Sequence, residues 1–224
     1  MDLLKRALGL VVAGVVFFGL LGVYLTWAPD KPVEALTAKW APPPSQFIAL
    51  QGMQVHLRDE GPRDDPLPIV LLHGTSASLH TWEGWAEALR GQRRVIRMDL
   101  PGFALTGPNP ENDYSIERYV AFVAALADQL GVQRFVLGGN SLGGQIAWAT
   151  AVTHPQRVAS LILVDASGYA FESAKTPIDV PIGFQMARIK PLAPLVENTL
   201  PRGLVEKSVK AVYGDPSKVT PPLV

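Results

Sequence analysis

Phe135-Val136-Leu137-Gly138-Gly139-Asn140-Ser141-Leu142-Gly143-Gly144 decides how this chain is read: an apolar strand turns sharply about a serine and runs on into a helix. In such an elbow the serine hydroxyl projects from a tight strand-to-helix turn, and the flanking glycines leave room where a Cβ would meet neighbouring backbone. Ser141 is the candidate nucleophile. Gly-x-Ser-x-Gly alone is weak, because residue frequencies near 7% produce it by accident in about one chain in thirteen of this length. Context decides. The stretch Leu142 to Val152 is helix-capable, and His73-Gly74 closes an earlier apolar run, Pro68 to Leu72.

Outward from the elbow, strand and helix patterns alternate. Phe47 to Leu50 and Met53 to Arg58, separated by Gln51-Gly52, predict a hairpin, and Pro68 to Leu72 a buried strand. Trp82, Trp85, Ala86 and Leu89 recur at helical spacing, and Val95 to Leu100 reads as a strand ending at Pro101-Gly102. Ile116, Val120, Val123, Ala127 and Leu130 mark one face of a helix that Ser115 can cap and Gly131 can stop. Val158 to Val164 is a further strand. Short apolar strands alternating with amphipathic helices imply an α/β fold, a doubly wound and mostly parallel sheet covered on both faces.

Composition narrows the class. At 224 residues, 48% hydrophobic and with zero formal net charge, the chain suits one substantial core, and no run of Lys or Arg offers a nucleic-acid stripe. Nucleic acid is excluded as a partner. With no cysteine, disulfides and thiolate metal sites are excluded too. Ala7 through Ala28 carries no charge and spans about 33 Å as a helix, enough for a hydrocarbon core of roughly 30 Å. Its length and its bulky closing residues Tyr24 and Trp27 favour an uncleaved anchor over a signal peptide. Lys5 and Arg6 favour a cytoplasmic N-terminus, with the remaining chain on the extracytoplasmic side of the membrane. The expected organisation is an anchor at 1–28, a Pro-rich extended linker at 29–45, an α/β core at 46–170 and a partial helical cap at 171–224, with Leu204 to Val212 its only helix.

With these residues in place, the chain resembles the α/β-hydrolase superfamily over about Phe47 to Tyr169. Leu71-Leu72-His73-Gly74, Met98-Asp99-Leu100-Pro101-Gly102-Phe103, Gly138 to Gly144 and Leu163-Val164-Asp165-Ala166 fall in the order typical of its esterase, C–C hydrolase and haloperoxidase-like branches. The resemblance implies acyl transfer: Ser141 attacks a carbonyl, and the backbone N–H groups of Leu142 and, by position after His73-Gly74, Thr75 hold the oxyanion. It gives His73, Gly74, Gly139 and Gly143 architectural roles. It places Phe171 to Val224 as a cap whose underside Ile182, Phe184, Met186 and Ile189 line, which suits a small hydrophobic substrate. A serine at the elbow also argues against the dehalogenase and epoxide hydrolase branches, which carry aspartate there.

The general base is the difficulty. The superfamily order is nucleophile, acid, histidine, yet the last of four histidines, His154, lies thirteen residues after Ser141. His56 in a strand reads as a surface or half-buried residue, His80 as a lid or surface residue, and His154 before Pro155 as a helix-end cap. Asp165, ending the strand after the elbow helix, is the candidate acid; Asp99 before Pro-Gly reads as a turn stabiliser. The expectation is therefore a C-terminally incomplete serine hydrolase, or alternatively a non-catalytic binding protein or pseudoenzyme on that fold. No metal or cofactor is expected, since no ligand-spaced cluster or phosphate loop occurs.

Overall fold

A computed structural model of the chain describes residues 2–169, 186 and 189–220, which divide into two units, one of Pro32–Ala174 and one of Met1–Lys31 with Lys175–Val224. The larger unit is built on a six-stranded sheet of β1 (Gln46–Leu50), β2 (Met53–Glu60), β3 (Ile69–Leu72), β4 (Val95–Met98), β5 (Phe135–Asn140) and β6 (Val158–Val164). The spatial order is β1-β2-β4-β3-β5-β6. β2 is antiparallel to both neighbours, and β4, β3, β5 and β6 run parallel. The hairpin joining β1 to β2 turns at Gln51 and Gly52, whose φ angles of 50° and 79° give the twist that matches paired strands.

From β3 the chain crosses through α3 (Glu83–Leu89) to β4 on one side, then through α4 (Ile116–Gln129) to β5 on the other. This reversal opens a crevice at the carboxyl ends of β3 and β5, the place where open α/β sheets bind ligands. One sheet face is covered by α4 and α5 (Leu142–Thr153), through Tyr119, Phe122, Val123, Leu126, Ile146 and Ala147 packed on Val55, Val70, Leu72, Ile96 and Leu137. The other carries Trp82 and Ala86 on Ile69, Leu71 and Val95. The alternation along β3 follows the two-residue period of a strand. Ser115 caps α4, its Oγ accepting the Arg118 N–H at 3.3 Å, and Gly131 follows the helix with φ 68°. Both assignments from the sequence hold.

The stretch before the sheet differs from expectation. Residues Val33–Trp40 form helix α2 rather than an extended spacer. The five prolines lie on either side of Val-Glu-Ala-Leu-Thr-Ala-Lys-Trp, leaving eight consecutive helix-compatible residues with Glu34 in the first turn and Lys39 in the last, as the helix dipole favours.

In the smaller unit, α1 (Asp2–Thr26) includes a 22-residue apolar stretch, Lys5–Thr26, long and apolar enough to cross a membrane and unburied throughout. Signal sequences share that composition. Helices Ala193–Glu197 and Arg202–Val212 follow; the first was not anticipated, because it is a five-residue turn with Pro194 in its first turn and Pro191 shortly before it. Ile182 and Phe184 lie outside the described residues. Met186 is half-buried and Ile189 is exposed.

The sheet is braced by a buried ion network. The Arg97 guanidinium, fully buried, donates to Glu60 at 2.7 Å and to Glu83 at 2.8 Å, and Arg90 adds a second cation on Glu60. Burial alone would raise the Glu60 carboxyl, but the hydrogen bonds from Arg97 and Arg90 hold it below its ordinary value. Removing Arg97 leaves Glu60 buried with half its compensation. Arg97→Met is expected to lose about 3–5 kcal/mol in urea denaturation, whereas Arg118→Met, which breaks the peripheral pair with Glu111, loses at most about 1 kcal/mol.

Candidate active site

Ser141 stands between β5 and α5 with φ 50° and ψ −115°. This is neither the right-handed nor the left-handed helical well, and a non-glycine residue held there costs of order 1–3 kcal/mol. Surrounding contacts impose it. The Ser141 N–H donates to the Val164 carbonyl at 3.1 Å, and its own carbonyl accepts from Gln145 at 3.0 Å and from Ser167 at 3.1 Å. A Cβ at Gly139 would overlap the Gly143 carbonyl, and one at Gly143 the Leu72 carbonyl. The first turn of α5 is thereby pressed onto the end of β3.

Opposite the serine runs the segment after β3. A side chain at Gly74 would start 3.1 Å from the Ser141 Cβ, so this loop meets the elbow directly. His73 fixes the loop. It is fully buried, its Nδ1–H donates to the Gly74 carbonyl at 2.8 Å, and its Nε2 accepts the Leu100 N–H at 2.9 Å. Those two bonds require the neutral ring, and burial accordingly pushes the His73 pKa below its ordinary value of 6.5. His73 thus joins the segments after β3 and β4 and is committed as a structural group. Among the described residues no acceptor engages the backbone N–H of Thr75 or Leu142.

The acid and base are placed differently. Asp165 follows Val164, whose carbonyl binds both the Ser141 N–H and, at 3.1 Å, the Asn140 side chain. It is exposed, with φ 45°, and makes no hydrogen bond among the described residues. None of the four histidines bonds to Ser141. His56 is fully buried, correcting its reading as a surface or half-buried residue: its Nδ1 meets Asp99 Oδ2 at 2.7 Å and its Nε2 meets Ser45 Oγ at 2.9 Å. Asp99 also accepts from the backbone N–H groups of Leu79 and Leu105, so it does hold the turn, and it holds a second loop as well. His80 bonds to the Trp40 carbonyl at 2.9 Å, and His154 ends α5. Sequence reasoning missed the Ser45–His56–Asp99 chain, because no spacing pattern links residues that only the sheet brings together.

Beside these loops a cavity of about 270 Å³ is lined by Leu36, Trp40, Ser78, His80, Asp99, Ala104 and Leu105. It adjoins α2 and does not include Ser141. No cluster of His, Asp or Glu suited to a metal ion occurs among the described residues.

A six-stranded, mostly parallel sheet with a serine elbow at its switch point is the architecture of an α/β hydrolase. The profile of the alpha/beta hydrolase fold family matches residues 68–202, and the chain belongs to that family. It is 36% identical over 130 residues to 2-hydroxy-6-oxo-2,4-heptadienoate hydrolase of Pseudomonas putida, covering 57% of this chain and 46% of the relative. It is 30% identical over 115 residues to mouse epoxide hydrolase 4, covering 51% and 32%. The chain thus spans less than half the length of these curated relatives. Among solved structures it is similar to a bacterial membrane phospholipase A, with a TM-score of 0.55 and 26% identity over 83% of this chain and 57% of that one. A hydrolase from Pseudomonas aeruginosa shares the fold with a TM-score of 0.62 at 23% identity.

The buried neutral His73 has a pH consequence. Its pKa is lower folded than unfolded, so its contribution is complete above 6.5 and is lost as pH falls below that value toward the folded pKa. His73→Gln is expected to flatten the loss of stability between pH 7 and 5, by up to about 1.4 kcal/mol per pH unit, in thermal melts across that range. Separately, Gly143→Ala is expected to lose about 3 kcal/mol or more, since its clash is with backbone.

Proposed function

We propose that the chain is a serine hydrolase acting on an ester or other acyl carbonyl of a small hydrophobic substrate, through an acyl-enzyme on Ser141. The observation that carries this is the strained Ser141 backbone at the sheet's switch point, facing a segment whose next N–H, at Thr75, has no acceptor among the described residues. The hydroxyl oxygen attacks the carbonyl carbon, and the oxyanion is stabilised by the N–H groups of Leu142 and Thr75 and by the amino end of α5. The hydroxyl proton passes to a general base, for which no described residue is in place. Asp165, one residue beyond the carbonyl that binds the elbow, is the proposed acid that orients such a base.

Helix α1 is the proposed single-pass anchor, with the hydrolase unit extracytoplasmic. Among possible acyl substrates, this placement and the similarity to a membrane phospholipase A favour esters over the C–C bond that the heptadienoate hydrolase's substrate suggests. A second reading, a non-catalytic binding protein on the same fold, rests on the Ser141 hydroxyl having no base beside it among the described residues.

Labelling with a fluorophosphonate separates the two. Where a general base reaches Ser141, the expected outcome is labelling of the wild-type protein that Ser141→Ala abolishes, with hydrolysis of p-nitrophenyl butyrate falling by about 10³-fold or more. A wild-type chain that neither labels nor hydrolyses the ester supports the binding protein.

A further inference from the structure

The smaller unit contains a feature that its anchor does not explain. Directly after α1, the chain pairs with a distant stretch: the Ala28 N–H donates to the Asn198 carbonyl at 2.8 Å, the Leu200 N–H to the Thr26 carbonyl at 2.8 Å, and Trp27 bridges Thr199 in antiparallel fashion. Residues 198–200 are therefore fixed at the level of the last turn of α1, beside Tyr24 and Trp27, which are 78% and 52% exposed. If α1 spans a bilayer, that level is the lipid–water boundary, where aromatic side chains of this kind reside.

What surrounds this level fits the boundary. Leu200 and Leu204 are 62% and 57% exposed, and Leu195 and Ile189 are exposed as well. On helix Arg202–Val212 the exposed positions Leu204, Lys207, Ser208 and Ala211 share one face at the i, i+3, i+4, i+7 spacing. Val205 and Val209 lie on the half-buried side. Eleven residues reach about 16 Å, far too short to span a bilayer. Over residues 189–220 five cations, Lys190, Arg202, Lys207, Lys210 and Lys218, face three carboxylates, Glu197, Glu206 and Asp215. An exposed face that carries Leu204 and Ala211 together with Lys207, next to exposed Leu200 and within a segment of excess positive charge, suits the interface of an anionic membrane.

We infer that the 195–211 segment is a second membrane contact, seated in the headgroup layer of anionic phospholipid with Leu200 and Leu204 inserted and Lys207 at the phosphates. The inference rests on the proposed membrane-spanning role of α1. The contact holds the residues following the hydrolase core at the surface that supplies a lipid-borne ester.

Because the chain has no cysteine, single labelling sites are clean. Full-length Leu200→Cys, Leu204→Cys, Phe18→Cys and Val152→Cys, each carrying an environment-sensitive fluorophore, are reconstituted into phosphatidylcholine vesicles with and without phosphatidylglycerol. All four positions are exposed, so folding is not at stake. The expected result is a blue shift at Leu200 and Leu204, with quenching by lipid-borne nitroxide at least about twofold above that at Val152. Phosphatidylglycerol strengthens the effect and Lys207→Glu weakens it. If Phe18 is quenched while Leu200 and Leu204 stay as aqueous as Val152, the second contact is overturned and the anchor stands. If Phe18 is not quenched, the anchor reading fails and the contact falls with it.

Discussion

The close approach of helix α5 to the ends of β3 and β5 governs the rest of this structure. Two backbones meet at distances that exclude any Cβ, at Gly139 against Gly143 and at Gly143 against the carbonyl of Leu72. Only with those side chains absent can the chain leave β5, turn within one residue and enter a helix. The turn concentrates on Ser141, whose φ and ψ no adjacent glycine relieves. The strain of about 1–3 kcal/mol is carried by bonds on both sides of the residue: Val164 accepts its N–H, and Gln145 and Ser167 donate to its carbonyl. Strand β6 and the loop beyond it therefore belong to the elbow as much as β5 does.

Around this constraint the protein spends buried polar groups on joining loops. Apolar packing sets the sheet and its helices but has no direction, and it cannot fix where a loop end lies to within a fraction of an ångström. His73 bonds Gly74 on one side and Leu100 on the other; Asp99 binds His56, Leu79 and Leu105. Each replaces a side chain's lost hydration with contacts to backbone of a different segment, so satisfying the buried group and placing the loops become one event. The result is that the segments after β3 and β4 are registered to one another at the crevice.

The alternation of strands and helices was legible because burial imposes period on sequence. The apolar face of Ile116 to Leu130, its serine cap and its glycine stop survive intact in the structure, as does β6 to the residue. The elbow was legible for another reason: close backbone approach leaves glycines at fixed offsets from one serine. Long-range polar pairing leaves no such trace. His56 sits in a strand whose neighbours are buried on both sides, and nothing in Met53-Gln-Val-His-Leu-Arg tells a half-exposed imidazole from one bonded to an aspartate 43 residues on. Helix α2 was hidden by proline content, a property of its flanks rather than of its eight residues.

The Ser141 φ of 50° is positive, as are those of Gln51 and Asn112, and polar residues in turns visit the left-handed well at modest expense. The ψ of −115° removes Ser141 from that well. A protein that needed only a strand-to-helix connection could use a longer loop and avoid the strain. What the tight turn provides is a hydroxyl raised above the sheet edge, at the amino end of a helix and against the segment that leads into Thr75. An unactivated serine hydroxyl is a weak nucleophile, so this placement acquires chemical use once a base reaches it. The carbonyl of Val164, one residue before the proposed acid Asp165, already holds the elbow in place.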